Sequence, residues 1–504
     1  MKDFTRLVDL ASERLGGRVL LASDEFFAPK ENLLKATPPL LIEGKYTSHG
    51  KWMDGWETRR RRTPGYDWCI IRLGLPGIVR GVVVDTGHFK GNYPEQCSVE
   101  ACTFEGTKQE RRLLTNRATG WVELLPQSAL KGDSENLFAI TNLQRFTHLR
   151  LKIYPDGGVA RFRVFGQVVP DHRRLFVRRR EIDLAAVESG GCVISSSDEF
   201  FGSPLNLLLP GRGKNMGDGW ETRRRRGPGH DWVIIKLGSP GVILRIEVDT
   251  THFKGNFPES CFIEGVDFKS GELDATPDTQ WKEILPRTRL RANARHYFHK
   301  QLQDAGKVSH VRFHIYPDGG VSRLRIFGVP AVTPESRLVW LNSLSVARAQ
   351  SALLDCCGSR AWAQQMVAAR PFAAVAQMVE AADRIWAGLS PNDWLQAFRR
   401  HLPIGGNKSA QKQSSKAKRW SAKEQSNVQK RTSPEMWPVL GAANAAYRAR
   451  FGYIFIVCAT GKTTEEMLAL LKQRLANDPG SELRIAAEEQ RKITRLRIER
   501  LLES

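Results

Sequence analysis

The chain has 504 residues, 41% hydrophobic and 26% charged, a globular composition with ample apolar material for two to four cores and no need of disulfide or metal staples. Its formal net charge of +22 suits a nucleic-acid binder and equally an enzyme that draws in small anions, so charge alone excludes neither. The longest strongly apolar run, Tyr453 to Ala459, is too short to cross a bilayer.

The N-terminal segment MKDFTRLVDLASERLGG lacks a signal-peptide apolar core, and the closing Leu502-Glu503-Ser504 is not a peroxisomal tripeptide. The eight cysteines show no CxxC pair. Reduced thiols and a cytoplasmic location are the expectation.

In chain order, short strand-like runs come first: Trp68 to Leu73, Ile78 to Val84, Leu149 to Ile153 and Ala160 to Phe165. Gly, Pro and Asp separate them, the pattern of an antiparallel sandwich. Much of this region then repeats. DGWETRRRR occupies 54–62 and again 218–226. Asp85 to Asn92 (DTGHFKGN) returns as Asp249 to Asn256 (DTTHFKGN), and Tyr154-Pro155-Asp156-Gly157-Gly158 returns as Tyr316-Pro317-Asp318-Gly319-Gly320. Ser23 to Phe27 (SDEFF) returns as Ser197 to Phe201, with extra residues of the first copy falling within Lys35 to Trp52. Units of this length read as a duplicated domain rather than a solenoid. Beyond Val332 the periodicity becomes helical, over Pro391 to His401, Thr464 to Ala476 and Glu482 to Leu502. Asn407 to Arg419, rich in Lys, Ser and Gln, reads as a loop, and Trp420 to Gln425 as the start of a helix. The expected architecture is multidomain, with two β-sandwiches over 1–170 and 171–332 and an all-α domain over 333–504.

Both copies keep an acidic pair beginning at Asp24 and Asp198, four consecutive arginines, and a His-x-Lys element (His88 and Lys90, His252 and Lys254). Successive arginines in an extended segment point to alternate faces, so about two of four can share a site. Arg60 and Arg224 are the candidates for holding an anion, and the others are expected to pair with Glu57 or Asp67. Asp-Gly-Gly is most simply a turn. A His beside Lys and Asn is a costly group to bury without purpose, which favours His88 and His252 as catalytic. The copies differ at Tyr66 and His230, so the two need not be functionally equal.

Together SDEFF, DGWETRRRR, GxDW, DTxHFKGN and YPDGG resemble allantoicase over roughly residues 15 to 330. The resemblance implies two galactose-binding-like jelly rolls and hydrolysis of allantoate to (S)-ureidoglycolate and urea. The residue types suit that chemistry. An arginine can hold the substrate carboxylate, with Lys90 and Lys254 beside it. A base must activate water, and an acid must protonate the departing urea nitrogen. Asp24 and Asp198 are candidates to orient ureido N–H groups or to ligate a metal. No HExxH-like spacing is present, and a divalent metal stays open.

In the tail, His401 closes one helical segment, Ser421-x-x-Glu424 has the form of a capping box, and Arg497 interrupts an apolar stripe between Ile493 and Leu501. With Phe451 to Lys462 (FGYIFIVCATGK), Cys356 to Ser359, Arg370-Pro371-Phe372, Asp393-Trp394, Asn444 and Tyr447, these resemble OHCU decarboxylase (2-oxo-4-hydroxy-4-carboxy-5-ureidoimidazoline decarboxylase). The resemblance implies His401 as the catalytic histidine and Glu424 as a further catalytic group. It implies Ser421, Gln425 and Arg497 as substrate contacts, and backbone groups of Ile456, Val457 and Cys458 around the ring. It departs at Leu402, where the family has proline directly after the histidine; here Pro403 follows one later. No cofactor is expected for the decarboxylation.

The expected function is therefore bifunctional, in urate and purine catabolism. Small anionic substrates, no nucleic acid and no membrane are the expected partners. A separate allantoinase would act between the two steps, and an assembly of identical copies is compatible. The rival is a carbohydrate-binding double jelly roll with a helical accessory domain, since fold does not fix function.

Overall fold

A computed structural model describes residues 4–104, 120–170, 181–268, 280–331, 333–401 and 436–503. Two compact units, Met1–Ala331 and Val332–Ser504, divide the chain. Among the described residues, no helix is long and apolar enough to cross a membrane.

The first unit contains two antiparallel β-sandwich repeats of matching topology, each an eight-stranded sheet. In each, one strand of 19 residues organises the rest: Asp67–Asp85 in the first repeat and Asp231–Asp249 in the second. The sequence reads as two separate strands around Gly74 to Gly77. The backbone instead runs through, because Gly74 N and Leu75 N both donate to the Leu10 carbonyl across the Pro76 bend. The first half of the strand pairs with Arg145–Tyr154 and the second half with Arg161–Val168. A strand that changes partners in mid-course carries the chain from one layer of the sandwich to the other.

Alternate residues of these strands fill a dry core that includes Ile71, Val82, Leu151 and Phe162 in the first repeat and Ile235, Val248, Phe313 and Leu324 in the second. Trp56 and Trp220 are fully buried, and each indole N–H donates to the carbonyl of Asp24 or Asp198, at 2.8 and 2.9 Å. The repeated DGW element is thus a core anchor that ties down the repeated SDEFF loop.

Under it lies a buried ion pair. Arg161, 1% exposed, reaches the Asp54 carboxylate at 2.6 Å and the Asp54 carbonyl at 2.7 Å. Arg323 holds Asp218 in the same way, at 3.1 and 2.5 Å. Removing one member of such a pair leaves a desolvated charge, at a cost of about 3–5 kcal/mol.

The Asp-Gly-Gly turn is packed as well as turned. Gly157 and Gly319 have φ of 135° and 128°. A Cβ on Gly158 or Gly320 would fall 2.0 or 1.9 Å from the ring of Phe89 or Phe253. The YPDGG and HFKGN motifs repeat together because the bare backbone of one is the seat of the other's phenylalanine.

The second unit is helical, with eight helices among the described residues: α1 Pro334–Ser343, α2 Val346–Cys357, α3 Arg360–Ala368, α4 Val375–Ala387, α5 Pro391–Phe398, α6 Met436–Phe451, α7 Thr464–Arg474 and α8 Pro479–Glu503. Reciprocal capping boxes start three of them, from Thr333, Ser390 and Thr463. The core gathers Trp362, Trp386, Phe398 and Tyr447. Inside it the fully buried Glu482 is satisfied by Tyr447, by Arg474 at 2.8 Å and by Asn477 at 2.8 Å. The Asn407 to Arg419 stretch, Leu402, Pro403, and the candidates Ser421, Glu424 and Gln425 lie outside the described residues.

Candidate active sites

In the second repeat the SDEFF, RRRR, HFKGN and YPDGG segments converge on a cleft of about 550 Å³. Its polar lining includes Glu221, Arg224, Asn256, Glu259, Arg289 and Asp318. Glu221 is held by Asn256, whose amide donates to Oε1 at 2.5 Å. The first repeat has the same pair, Asn92 to Glu57 at 2.7 Å. There the carboxyl is buried more deeply, and desolvation pushes its pKa above the usual range, offset in part by the Asn92 hydrogen bond.

The four arginines divide as the extended geometry requires. Arg59 and Arg223 give their backbone N–H to Asp24 and Asp198, both at 2.7 Å. Arg61 and Arg225 give theirs to Asp156 and Asp318, both at 2.8 Å, and their guanidinium groups to Asp67 and Asp231. Arg60 and Arg224 point outward and are exposed, and Arg224 lines the cleft.

This corrects the expected roles of Asp24 and Asp198. Their carboxylates fasten the arginine segment, and Asp24 also accepts from Phe26 N at 3.1 Å, so their oxygens shape the loop. Asp198 is not among the residues that line the cleft of its own repeat. Glu57 pairs with Asn92 rather than with an arginine, unlike the expectation.

His88 and His252 occupy left-handed backbone, with φ of 69° and 76°, held by Asp133 and Asn293 accepting from their N–H groups at 2.7 and 2.8 Å. Their Nε2 atoms face main-chain carbonyls, of Pro39 at 3.3 Å and of Gly213 at 2.9 Å. A carbonyl can only accept, so Nε2 carries the proton. His252 and Lys254 are not among the cleft residues. Lys90 is exposed and lies 3.9 Å from Asp133. The same element instead delivers Asn256, two residues after Lys254.

The residues missed at first sight are therefore Glu221, Asn256 and Arg289. The first two had a signal, because Glu57 and Asn92 recur inside the same long motifs. Arg289 had none, being unmatched in the first repeat. Among the described residues, no group of three or more His, Cys, Asp or Glu is placed to hold a metal ion.

The Tyr66/His230 difference extends into a network. His230 Nε2 lies 2.8 Å from His314 Nδ1, and His314 Nε2 lies 3.0 Å from Glu264. In the first repeat Lys152 stands 2.5 Å from Glu100 and 5.2 Å from the Tyr66 ring centroid.

In the helical unit His401 follows α5, its N–H donating to the Phe398 carbonyl at 3.1 Å. Desolvation, then the positive charge of Arg497, holds its pKa down at about 3, with the Gln490 side chain pulling the other way. The imidazole is neutral at pH 7. Gln490 and Arg497 lie seven residues apart on α8, two turns along one face, which brings both to His401. Among the described residues, His401 Nε2 and Gln490 Oε1 are buried without a hydrogen-bond partner. Gln490 belongs to this site although only Arg497 stood out in the sequence.

The expected backbone contacts are partly taken up by the protein itself. Cys458 N donates to Glu489 at 2.7 Å, and the Ile456 carbonyl accepts from Arg474 at 2.9 Å. The extended stretch around Val457 is thus held by two charged side chains, Glu489 and Arg474. Asn444 accepts from Phe455 N at 3.0 Å and so orders the same stretch.

Comparison with known proteins finds a family for each unit. The allantoicase repeat family matches residues 8–169 and 182–331, and the OHCU decarboxylase family matches residues 342–499. A probable allantoicase of Burkholderia mallei is 49% identical over 65% of this chain and 96% of its own length. The crystal structure of allantoicase from Saccharomyces cerevisiae is 39% identical, covers 64% of this chain and 92% of that chain, and superposes with a TM-score of 0.53. A crystal structure of OHCU decarboxylase in the presence of (S)-allantoin is 37% identical over 31% of this chain and 99% of that chain, with a TM-score of 0.27. The chain belongs to the allantoicase family, and carries after its two allantoicase repeats a domain of the OHCU decarboxylase family.

Proposed function

We propose that the chain is a bifunctional enzyme of urate breakdown. Its sandwich unit hydrolyses allantoate to (S)-ureidoglycolate and urea, and its helical unit decarboxylates OHCU to (S)-allantoin. The observation that carries the first activity is the cleft, whose lining holds both a carboxylate tied to an amide and an outward arginine. Arg224 pairs with the substrate carboxylate. Glu221, aimed by Asn256, takes a proton from water as its oxygen bonds to the central carbon. The carbon–nitrogen bond to one ureido group breaks, and the proton passes to the leaving nitrogen, which departs as urea. Family membership does not favour the carbohydrate-binding alternative.

In the helical unit Arg497 supports the anionic substrate, and His401 supplies a neutral imidazole at one face of the ring. As CO₂ leaves, the ring takes up the electrons, and a proton delivered to one face gives a single enantiomer. We assign no metal to either reaction. A cytoplasmic location fits this role, as does a separate allantoinase that opens the allantoin ring between the two steps. The test is mass spectrometry of the purified full chain with allantoate and, separately, with fresh OHCU. Urea with ureidoglycolate from the first and faster-than-spontaneous allantoin from the second are expected. Absence of either product removes that activity.

A further inference from the structure

We propose that allantoate turnover is confined to the second repeat, and that Arg289 is the specificity-determining residue that makes the two copies unequal. The proposal rests on reading the cleft as the allantoate site.

The two copies superimpose by register. Arg289 pairs with Ser260, and Ala129 pairs with Gln96, the residue corresponding to Ser260. The next residue confirms the match, since Leu290 N donates to the Glu259 carbonyl at 2.8 Å and Leu130 N to the Glu95 carbonyl at 2.9 Å. The second repeat thus places a guanidinium where the first has a methyl group. Two residues earlier on the same strand face, Arg287 corresponds to Gln127. Arg287 is otherwise occupied: its guanidinium lies 4.0 Å from the Tyr316 ring centroid and 4.0 Å from Glu259.

Arg224 and Arg289 both line the cleft and both are exposed. Among the described residues, neither has an ion-pair partner, so both are available to an incoming carboxylate. In the first repeat Arg60 is exposed and Ala129 offers no charge. A small α-ureido carboxylate brings one negative charge, and two guanidinium forks can hold both its oxygens and fix its plane, whereas a single outward arginine leaves it free to swing. The general base differs in the same sense. Glu57 is 9% exposed and so less open to water than Glu221, which lines the cleft.

Urea release from allantoate by the full chain tests this with four variants. Arg289→Ala is expected to lower kcat/KM by about 10- to 100-fold, mostly through KM, the scale of one charge-assisted pair. Arg289→Lys, which keeps the charge and loses the fork, should recover part of that loss; no recovery, with Arg289→Ala down, would assign the loss to structure and overturn the specificity role. Arg224→Ala should fall at least as far as Arg289→Ala, and Arg60→Ala should stay within about threefold of wild type. Equal losses for Arg60→Ala and Arg224→Ala would overturn the confinement to one repeat while leaving the cleft as the site. Wild-type kinetics in Arg289→Ala beside a damaged Arg224→Ala would remove Arg289 alone. Wild-type kinetics in both Arg224→Ala and Arg60→Ala would bring down the cleft reading itself, and this proposal with it.

Discussion

The first repeat neutralises its buried Asp54 from within: Arg161 reaches it at 2.6 Å, and Lys35, at the start of the extra stretch, at 2.9 Å. The second repeat lacks that stretch, and Asp218 receives Arg323 and a second arginine, Arg14, which comes from the first repeat. The frame of the two copies is thus preserved by different cations. The functional surface diverges in the opposite way, with the same Glu–Asn pair kept and a guanidinium, Arg289, standing where the first repeat has Ala129. A core anchor must be neutralised by whatever lies near, because a lone buried charge is intolerable. A cleft open to water is under no such demand and is free to change.

The sharpest way to break this comparison is to remove the base from each copy in turn. Glu221→Gln is expected to lower urea release by about 10²- to 10⁴-fold, and Glu57→Gln to change it by less than about threefold. Steady-state kinetics on allantoate distinguish them, and equal losses would make the copies equivalent. Next in size, His401→Ala should lower formation of (S)-allantoin by about 10²-fold or more while leaving urea release from allantoate at the wild-type rate. Circular dichroism of allantoin from fresh OHCU reads this, because the spontaneous reaction gives a racemate. A fall in both activities would show that the two units are not independent.

Smaller is the effect of the borrowed cation. Arg14→Ala leaves Asp218 with Arg323 alone, and should destabilise the second repeat by about 1–3 kcal/mol. Hydrogen exchange should then rise around 212–222 and not around 50–60. Exchange confined to the first repeat would refute the cross-repeat tie.

The smallest effect concerns pH. Burial lowers the pKa of His310 to about 4, and those of His230 and His296 are also lowered by desolvation. These groups bind protons more readily unfolded, so their stabilising contribution is complete above the unfolded value of roughly 6.5 and is lost as pH falls from there toward 4. Asp183, raised to about 6 by burial, opposes them, because it favours the folded state more as pH falls through 6. The net loss in the second repeat between pH 7 and 5 should be modest. His310→Asn should flatten it in a pH series of thermal unfolding, and an unchanged slope would exclude His310 as a contributor.

The duplication, the alternating strands and the helical tail were legible in the sequence, because each is a repetition or a periodicity that survives without coordinates. The division of RRRR into fastening and outward arginines followed from the two-residue period of extended chain alone. The separate roles of His401 and Arg497 were implied by the likeness to a known family. The linear pattern could not show that Asp24 and Asp198 would be used up by backbone N–H groups 35 and 25 residues away, or that Asn256 rather than His252 would meet Glu221. Nor could it show that Gln490 would join His401, or that Arg289 and Arg224 would line one cleft. Periodicity reports which face of an element is apolar. It says nothing of which loops, brought from distant parts of the chain by the packing of those faces, end beside one another, and that decision belongs to the tertiary structure.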